Sequence, residues 1–312
     1  MIGIDVGGAN LKVVTGEGTN VHYCPLWEGN DLASVLRRFA GPGEEAAVVM
    51  SGELADCFTT RMEGIRFIVD AVREAFPGAR FYGTDARFHD HAVPELASAN
   101  WLASADFLMD LYPGALLVDF GSTTTDIIPL CGVPPLEGMT DLSRLQQGYL
   151  VYTGLLRTTV PALIRSVPLC GIPTPVCPEY FACSGDAHLV LGHIGEEEFT
   201  TESPDRKGKD RTSCLRRLSR AVCADLEEIG EEGALAVAEE FWQAQRSLIC
   251  RTVQRVKDRA GASQILCAGT GGPLLSPILG GDDLRKSLGP AADALPASAV
   301  REVGLRDPGS WL

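Results

Sequence analysis

The chain lacks an excess of positive charge, an apolar run long enough to cross a bilayer, a Cys-x-x-Cys pair and any low-complexity tract. Each absence excludes something. Lys and Arg total 27 against 41 Asp and Glu, a net charge of −14, so sequence-independent binding to nucleic acid, which needs basic surface, is not expected. The longest basic cluster, Arg206-Lys207-Gly208-Lys209-Asp210-Arg211, reads as a solvated loop rather than a rim for an anionic substrate. Without a long apolar run no membrane span is expected. Met1 leads straight into an apolar strand, so no secretory leader is expected either. Ten scattered cysteines fit no paired spacing. Cys57, Cys223, Cys250 and Cys267 stand in apolar settings and are expected as buried free thiols of a reducing, cytoplasmic compartment. Cys170, Cys177, Cys183, His188 and His193 share one stretch, but at spacings that match no standard zinc site. His89 and His91 flank Asp90 in what reads as a surface turn.

What is present is ordinary in bulk and unusual in detail. At 312 residues, 45% hydrophobic and 22% charged, the chain should bury a good core in one large or two modest domains. One submotif occurs twice: Ile4-Asp5-Val6-Gly7-Gly8-Ala9-Asn10-Leu11-Lys12-Val13-Val14 and Val118-Asp119-Phe120-Gly121-Ser122-Thr123-Thr124-Thr125-Asp126-Ile127-Ile128. Each runs from an apolar strand through an Asp and a Gly-led turn of small residues into a second strand. Aligned on Asp5 and Asp119, Lys12 falls opposite Asp126. A dinucleotide-type loop would run into a helix; here the apolar segments predict β-hairpins. Facing each other, two such turns make a clamp. Backbone N–H groups of Gly7, Gly8, Ala9 and Asn10, and of Gly121, Ser122, Thr123 and Thr124, would hold phosphoryl oxygens. Asp5 and Asp119 would hold a hydrated Mg²⁺, and Lys12 would neutralise charge. Asp5, Lys12, Asp119 and Asp126 are the candidate catalytic set. A third turn, Gly269-Thr270-Gly271-Gly272, follows a buried strand and precedes Pro273, which suits the first turn of a helix.

The order strand-turn-strand, strand-turn-strand, strand-Gly-Gly-helix is similar to the phosphate and adenosine turns of the actin, sugar-kinase and Hsp70 ATPase superfamily. That resemblance implies an α/β, two-lobed, ribonuclease-H-like fold with a central cleft. The expected division is a first lobe over 1–90, a connecting helix over 91–112, and a second lobe over 113–312. Apolar spacing predicts helices over 32–39, 62–76, 94–111, 215–229 and 234–260, a helix carried within 148–167, and strands over 46–50 and 80–83. The stretch 168–195 reads as irregular, 200–211 as the best candidate for a mobile loop, and the tail after Gly280 as weakly patterned. Glu53 and Asp56 are weighed between site roles and helix caps, Arg61, Arg144 and Arg157 between substrate anchors and surface ion pairs. Tyr152 and Trp101 read as core.

A narrower resemblance rests on Ser51-Gly52-Glu53-Leu54-Ala55-Asp56-Cys57-Phe58, Ala99-Asn100-Trp101-Leu102-Ala103, the stretch Asp119 to Pro129, Thr140-Asp141-Leu142-Ser143-Arg144-Leu145, Leu150-Val151-Tyr152-Thr153-Gly154-Leu155-Leu156-Arg157-Thr158 and Glu179-Tyr180-Phe181-Ala182. Together these resemble the hydantoinase-A/oxoprolinase-like proteins linked to the archaeal tetrahydromethanopterin one-carbon pathway, and within them the synthases of methanofuran biosynthesis. The resemblance implies a transferase that joins an aminomethyl-furanmethanol diphosphate to the phenol oxygen of γ-glutamyltyramine and releases diphosphate. Its partners would be these small molecules; a homodimer stays open. Gly148-Tyr149 stands where the resemblance leads one to expect an acidic residue. The wider superfamily alone would instead imply an ATP-dependent kinase or hydrolase, or a nucleotide sensor without turnover.

Overall fold

The computed structural model describes residues 1–29, 31–41 and 43–306; the last six residues of the expected second lobe lie outside the described residues. The first half runs β1 (Ile2–Val6), β2 (Asn10–Val14), β3 (Thr19–Tyr23), α1 (Leu32–Leu36), β4 (Ala46–Met50), α2 (Arg61–Ala75), β5 (Arg80–Tyr82) and β6 (Phe88–His89). Its sheet has the order β3-β2-β1-β4-β5-β6. The three leading strands are antiparallel, and β4 and β5 are added parallel to β1. β1 and β4 are buried along their whole length, as apolar strands covered on both faces must be.

After α3 (Asn100–Leu111) the second half repeats this plan. β7 (Ala115–Phe120) and β8 (Thr125–Pro129) form a hairpin, and α4 (Asp141–Gln147) leads to β9 (Leu150–Val151). An insertion follows: α5 (Val160–Leu163), β10 (Ser166–Leu169), β11 (Ile172–Pro175), α6 (Ser184–Val190), α7 (Arg211–Arg220) and α8 (Leu226–Ala260). Then come β12 (Gln264–Ala268), α9 (Gly272–Leu279), β13 (Asp282–Asp283), α10 (Arg285–Leu288) and α11 (Leu295–Arg306). The second sheet has the order β9-β8-β7-β12-β13. That matches β3-β2-β1-β4-β5 strand for strand, with the same parallel and antiparallel relations. The duplicated turn is therefore the local mark of a duplicated half. The fold is α/β, with two large mixed sheets of matching plan and a separate two-stranded hairpin, β10-β11.

A shared core joins the halves. Ala47 and Val49 of β4, Leu102, Ala105 and Leu108 of α3, Leu117, Ile128 and Leu266 of the second sheet, and Ala299, Val300 and Val303 of α11 form one buried cluster. α11 lies on the first sheet, so close to β1 that a Cβ on Gly3 would overlap the carbonyl oxygen of Ala297. The tail thus returns to the first half. Its buried residues include Ala297, Ser298, Ala299 and Gly304, small residues that permit close approach.

Several sequence expectations need correction. The expected helix over 94–111 is a 3-10 turn at Pro94–Leu96, a break in which Ser98 takes φ 49°, and then α3. The helix expected within 148–167 is present as the four-residue α5, kept short because the backbone of 155–157 is engaged by the second turn. The stretch read as irregular carries a β-hairpin and α6. The polar loop before α7 is tied down: the buried Arg217 donates to Asp205 and to Gly208 O. Cys57 and Cys223 are exposed and Cys250 is half-buried; of that group only Cys267 is buried.

Candidate functional site

In β1 and β2 the residue paired with Asp5 is Lys12; in β7 and β8 the residue paired with Asp119 is Asp126. The charge inversion read in the sequence is therefore a cross-strand pairing. Lys12 Nζ stands 3.9 Å from Asp5 Oδ2. Asp126 has no such partner on its own hairpin. Its cation comes from α4: the Arg144 guanidinium bonds Asp126 Oδ1 through one nitrogen and Asp141 Oδ1, at 2.8 Å, through the other. Arg144 is buried and lies over the Trp101 ring, 4.5 Å from its centroid. Weighed between a substrate anchor and a surface ion pair, Arg144 is a buried ion pair that neutralises the second acid of the Asp119–Asp126 pair.

The two turns are built alike. Gly7 N donates to Asn10 O and Gly121 N to Thr124 O, each at 3.0 Å. Behind the first turn, Leu26 N holds Gly8 O at 3.0 Å and Cys24 N holds Ala9 O at 2.9 Å. Behind the second, Leu155 N holds Gly121 O at 2.9 Å, while Leu156 N and Arg157 N hold Ser122 O at 2.9 and 3.1 Å. With carbonyls tied back, the amides of Gly8, Ala9, Ser122, Thr123 and Thr124 are left without a protein acceptor among the described residues. Such a run of free N–H groups in a turn makes each a candidate anion nest.

Gly269 to Gly272 lies directly against the second turn. Gly271 N donates to Phe120 O at 2.9 Å. Gly269 has φ 77°, and a Cβ there would overlap Asp119 Oδ1, so only glycine fits. Thr270 is exposed, and Gly272 with Pro273 opens α9.

The acids share one field. Burial pushes Asp5 up to about 6, with Lys12 opposing and Asp126 adding. Burial pushes Asp119 up to about 7, again opposed by Lys12 and raised further by Asp126 and Asp5. Asp126 is also raised by burial, against the pull of Arg144. Asp5 Oδ1 is buried with no hydrogen-bond partner. Among the described residues no three His, Cys, Asp or Glu side chains converge as a ready-made metal cage. An orphaned carboxylate oxygen next to a nest suits a hydrated Mg²⁺, which takes one or two carboxylates and completes its shell with water and substrate phosphate.

The other arginines divide. Arg61 stands 4.0 Å from buried Glu53. Arg157 lies over Trp27, 5.0 Å from the ring centroid. Tyr152, expected in the core, is 70% exposed, while Trp101 is buried. Gly148 takes φ 76° as the left-handed C-cap of α4, which accounts for glycine where an acidic residue was expected.

Sequence reasoning passed over several residues that shape the site. Ser98 Oγ lies 2.8 Å from both Glu53 Oε1 and Asp141 Oδ2, linking the halves. Gln245, fully buried on α8, donates to Thr153 Oγ1 at 2.8 Å and Gly154 O at 2.9 Å, behind the second turn. Its amide oxygen accepts from His188 Nε2, and burial drives His188 down to about 3, so that ring is neutral. A polar Gln among apolar helix positions was the available signal. His188 and His193 bond each other through Nδ1 at 2.9 Å.

The chain matches the hydantoinase/oxoprolinase family model over residues 44–286. It is 36% identical over 292 residues to the (4-{4-[2-(gamma-L-glutamylamino)ethyl]phenoxymethyl}furan-2-yl)methanamine synthase of Methanocaldococcus jannaschii, covering 89% of this chain and 88% of that protein. The protein of the same name from Methanococcus vannielii is 37% identical over 172 residues, 55% of this chain and 77% of its own length. Among solved structures, a nucleotide-free acetone carboxylase is 14% identical at a TM-score of 0.49, covering 83% of this chain and 42% of that one. With its model matched over most of the length, the chain belongs to the hydantoinase/oxoprolinase family.

Proposed function

We propose that the chain is a transferase of methanofuran biosynthesis, joining an aminomethyl-furanmethanol diphosphate to the phenol oxygen of γ-glutamyltyramine with release of diphosphate. The observation that carries this reading is the pair of matched amide turns, each with an Asp on its leading strand, and Lys12, whose charge acts on both Asp5 and Asp119, in a chain aligned over nearly its full length with a synthase whose named product is a phenoxymethyl-furan ether. The nests would bind the two phosphoryl groups. Lys12 would offset charge that grows on the diphosphate as the bond to carbon breaks. Asp5 and Asp119 would hold Mg²⁺, whose bound charge makes diphosphate a better leaving group. A phenol has a pKa near ~10 and gains from proton removal during attack. The proton would pass to a cleft carboxylate oxygen not taken by the cation; on Asp126, Oδ1 is held by Arg144.

Three amide donors behind residues 121 and 122 hold the second turn rigid, so the leaving group is received without reorganisation. The driving force lies in the furan diphosphate itself, so ATP is dispensable. The test is direct: purified protein with Mg²⁺ and both organic substrates should form the aryl ether by mass, with no added nucleotide. No ether under those conditions, with phosphate released from ATP instead, would return the chain to the kinase or hydrolase reading. No helix among the described residues is long and apolar enough to cross a membrane.

A further inference from the structure

Trp27 has no part in the roles above, yet it stands beside them. Leu26 N holds Gly8 O behind the first turn, and Leu156 N holds Ser122 O behind the second. Trp27 and Arg157, each the next residue along, therefore occupy equivalent places in the two halves, and they meet: the Arg157 guanidinium lies over the indole, 5.0 Å from its centroid. Trp27 Cζ3 is 3.8 Å from the point where a Cβ on Gly8 would stand, so the ring borders the first nest. It is 37% exposed, so substrate has access to it. Tyr23 and Tyr180, both exposed, feel the same guanidinium.

An indole face that holds a guanidinium offers the same attraction to any delocalised cation. The proposed reaction makes one. When the bond from the furan methylene to diphosphate breaks, both electrons stay on the diphosphate oxygen. The positive charge spreads over the methylene carbon and the furan ring, one bond from a phosphate held in the nests. We propose that the face of Trp27 receives this developing furanmethyl cation, while Arg157 leaves the ring for the departing diphosphate. The phenol oxygen then supplies the electron pair of the new C–O bond, and its proton passes to a cleft carboxylate. Trp27 forms no bond. It acts on charge that is absent from the bound substrate and develops toward the transition state, so it raises kcat rather than tightening substrate binding. This inference rests on the transferase reading of the site.

The experiment compares Trp27→Leu and Trp27→Phe with the unaltered protein. One arm measures kcat and KM for the furan diphosphate. The other measures binding of furfurylammonium in the presence of inorganic diphosphate, a stable mimic of the separated ion pair that needs no turnover. Trp27→Leu, which keeps bulk but removes the π face, should lower kcat about 10- to 30-fold with KM changed less than about twofold. It should weaken furfurylammonium by about tenfold, and Trp27→Phe should fall between. Equal kcat in Trp27→Leu and the unaltered protein, or a loss in KM alone, would overturn the cation-receiving role while leaving the transferase intact. Absence of ether formation in the unaltered protein, with furfurylammonium binding still dependent on Trp27, would overturn the transferase reading and keep the cation face.

Discussion

Arg144 reaches from α4 to Asp126 and supplies the cation that the second hairpin lacks, whereas Lys12 supplies it from within the first. The guanidinium is buried between Asp126, Asp141 and the Trp101 ring. Removing one partner of such a pair strands the other. Arg144→Met should therefore destabilise the fold by about 3–5 kcal/mol in denaturant titration, since a buried charge loses its counter-ion. Arg144→Met combined with Asp126→Leu should recover part of that loss. A surface anchor for substrate would instead change KM and leave the denaturant midpoint where it was.

Lys12 is partly exposed, 3.9 Å from Asp5. As the charge that meets phosphoryl oxygens, its loss should fall unevenly on the two substrates. Lys12→Ala is expected to weaken binding of inorganic diphosphate by about tenfold or more, as loss of a charge-assisted contact does, and to leave γ-glutamyltyramine within about twofold. Calorimetric titration of each ligand separately reads both numbers.

The buried acids make stability depend on pH. Asp5 and Asp119 rise to about 6 and about 7 by burial. In the unfolded chain an aspartate ionises near ~3.9. Between these values the folded state binds more protons than the unfolded one, so this contribution to stability is full below about pH 4 and is lost as pH rises through about 6 to 7. The melting temperature in chelator should accordingly fall from about pH 4 to about pH 7 and level off above. Mg²⁺ with diphosphate should shrink the fall, because bound cation compensates the ionised carboxyls. Asp119→Asn should flatten it without metal. Binding of Mg²⁺-diphosphate needs the ionised acids and should strengthen with pH across the same interval.

Gly154 offers a cleaner separation of site from fold. A Cβ there would overlap the backbone of Thr123 in the second nest. Gly154→Ala should displace that turn by a fraction of an ångström to about 1 Å and cost about 100-fold in turnover, with far less effect on the melting temperature. Gly3→Ala should do the reverse. Its overlap is with Ala297 in the seam between β1 and α11, so it should lower stability and leave turnover per folded molecule near normal.

The duplicated Asp-Gly hairpins were legible because each needs an apolar strand, a carboxylate and glycine in fixed order, and their repetition shows in the sequence itself. The matching strand order of the two sheets follows from them. What was not legible depends on partners distant in the chain. Arg144 could be read as a candidate anchor, but nothing local to it says that Asp126 lacks a cation. The stretch after Val151 has helical composition, yet its amides bond the second turn, and tertiary demand overrides propensity. Trp27 has no periodicity to mark it, since its role comes from lying opposite Arg157. The tail after Gly280 looks weak because close packing on β1 calls for small residues, which carry little apolar signal.

If the paired nests hold a diphosphate that leaves as such, phosphorus NMR of the reaction will show it, with furan diphosphate and γ-glutamyltyramine added singly and together, without nucleotide. Diphosphate should appear only when both are present, one for each ether formed, and Asp119→Asn should suppress both products together while the protein stays folded by circular dichroism. Orthophosphate as the first product, or diphosphate release that ignores the phenol, would contradict it.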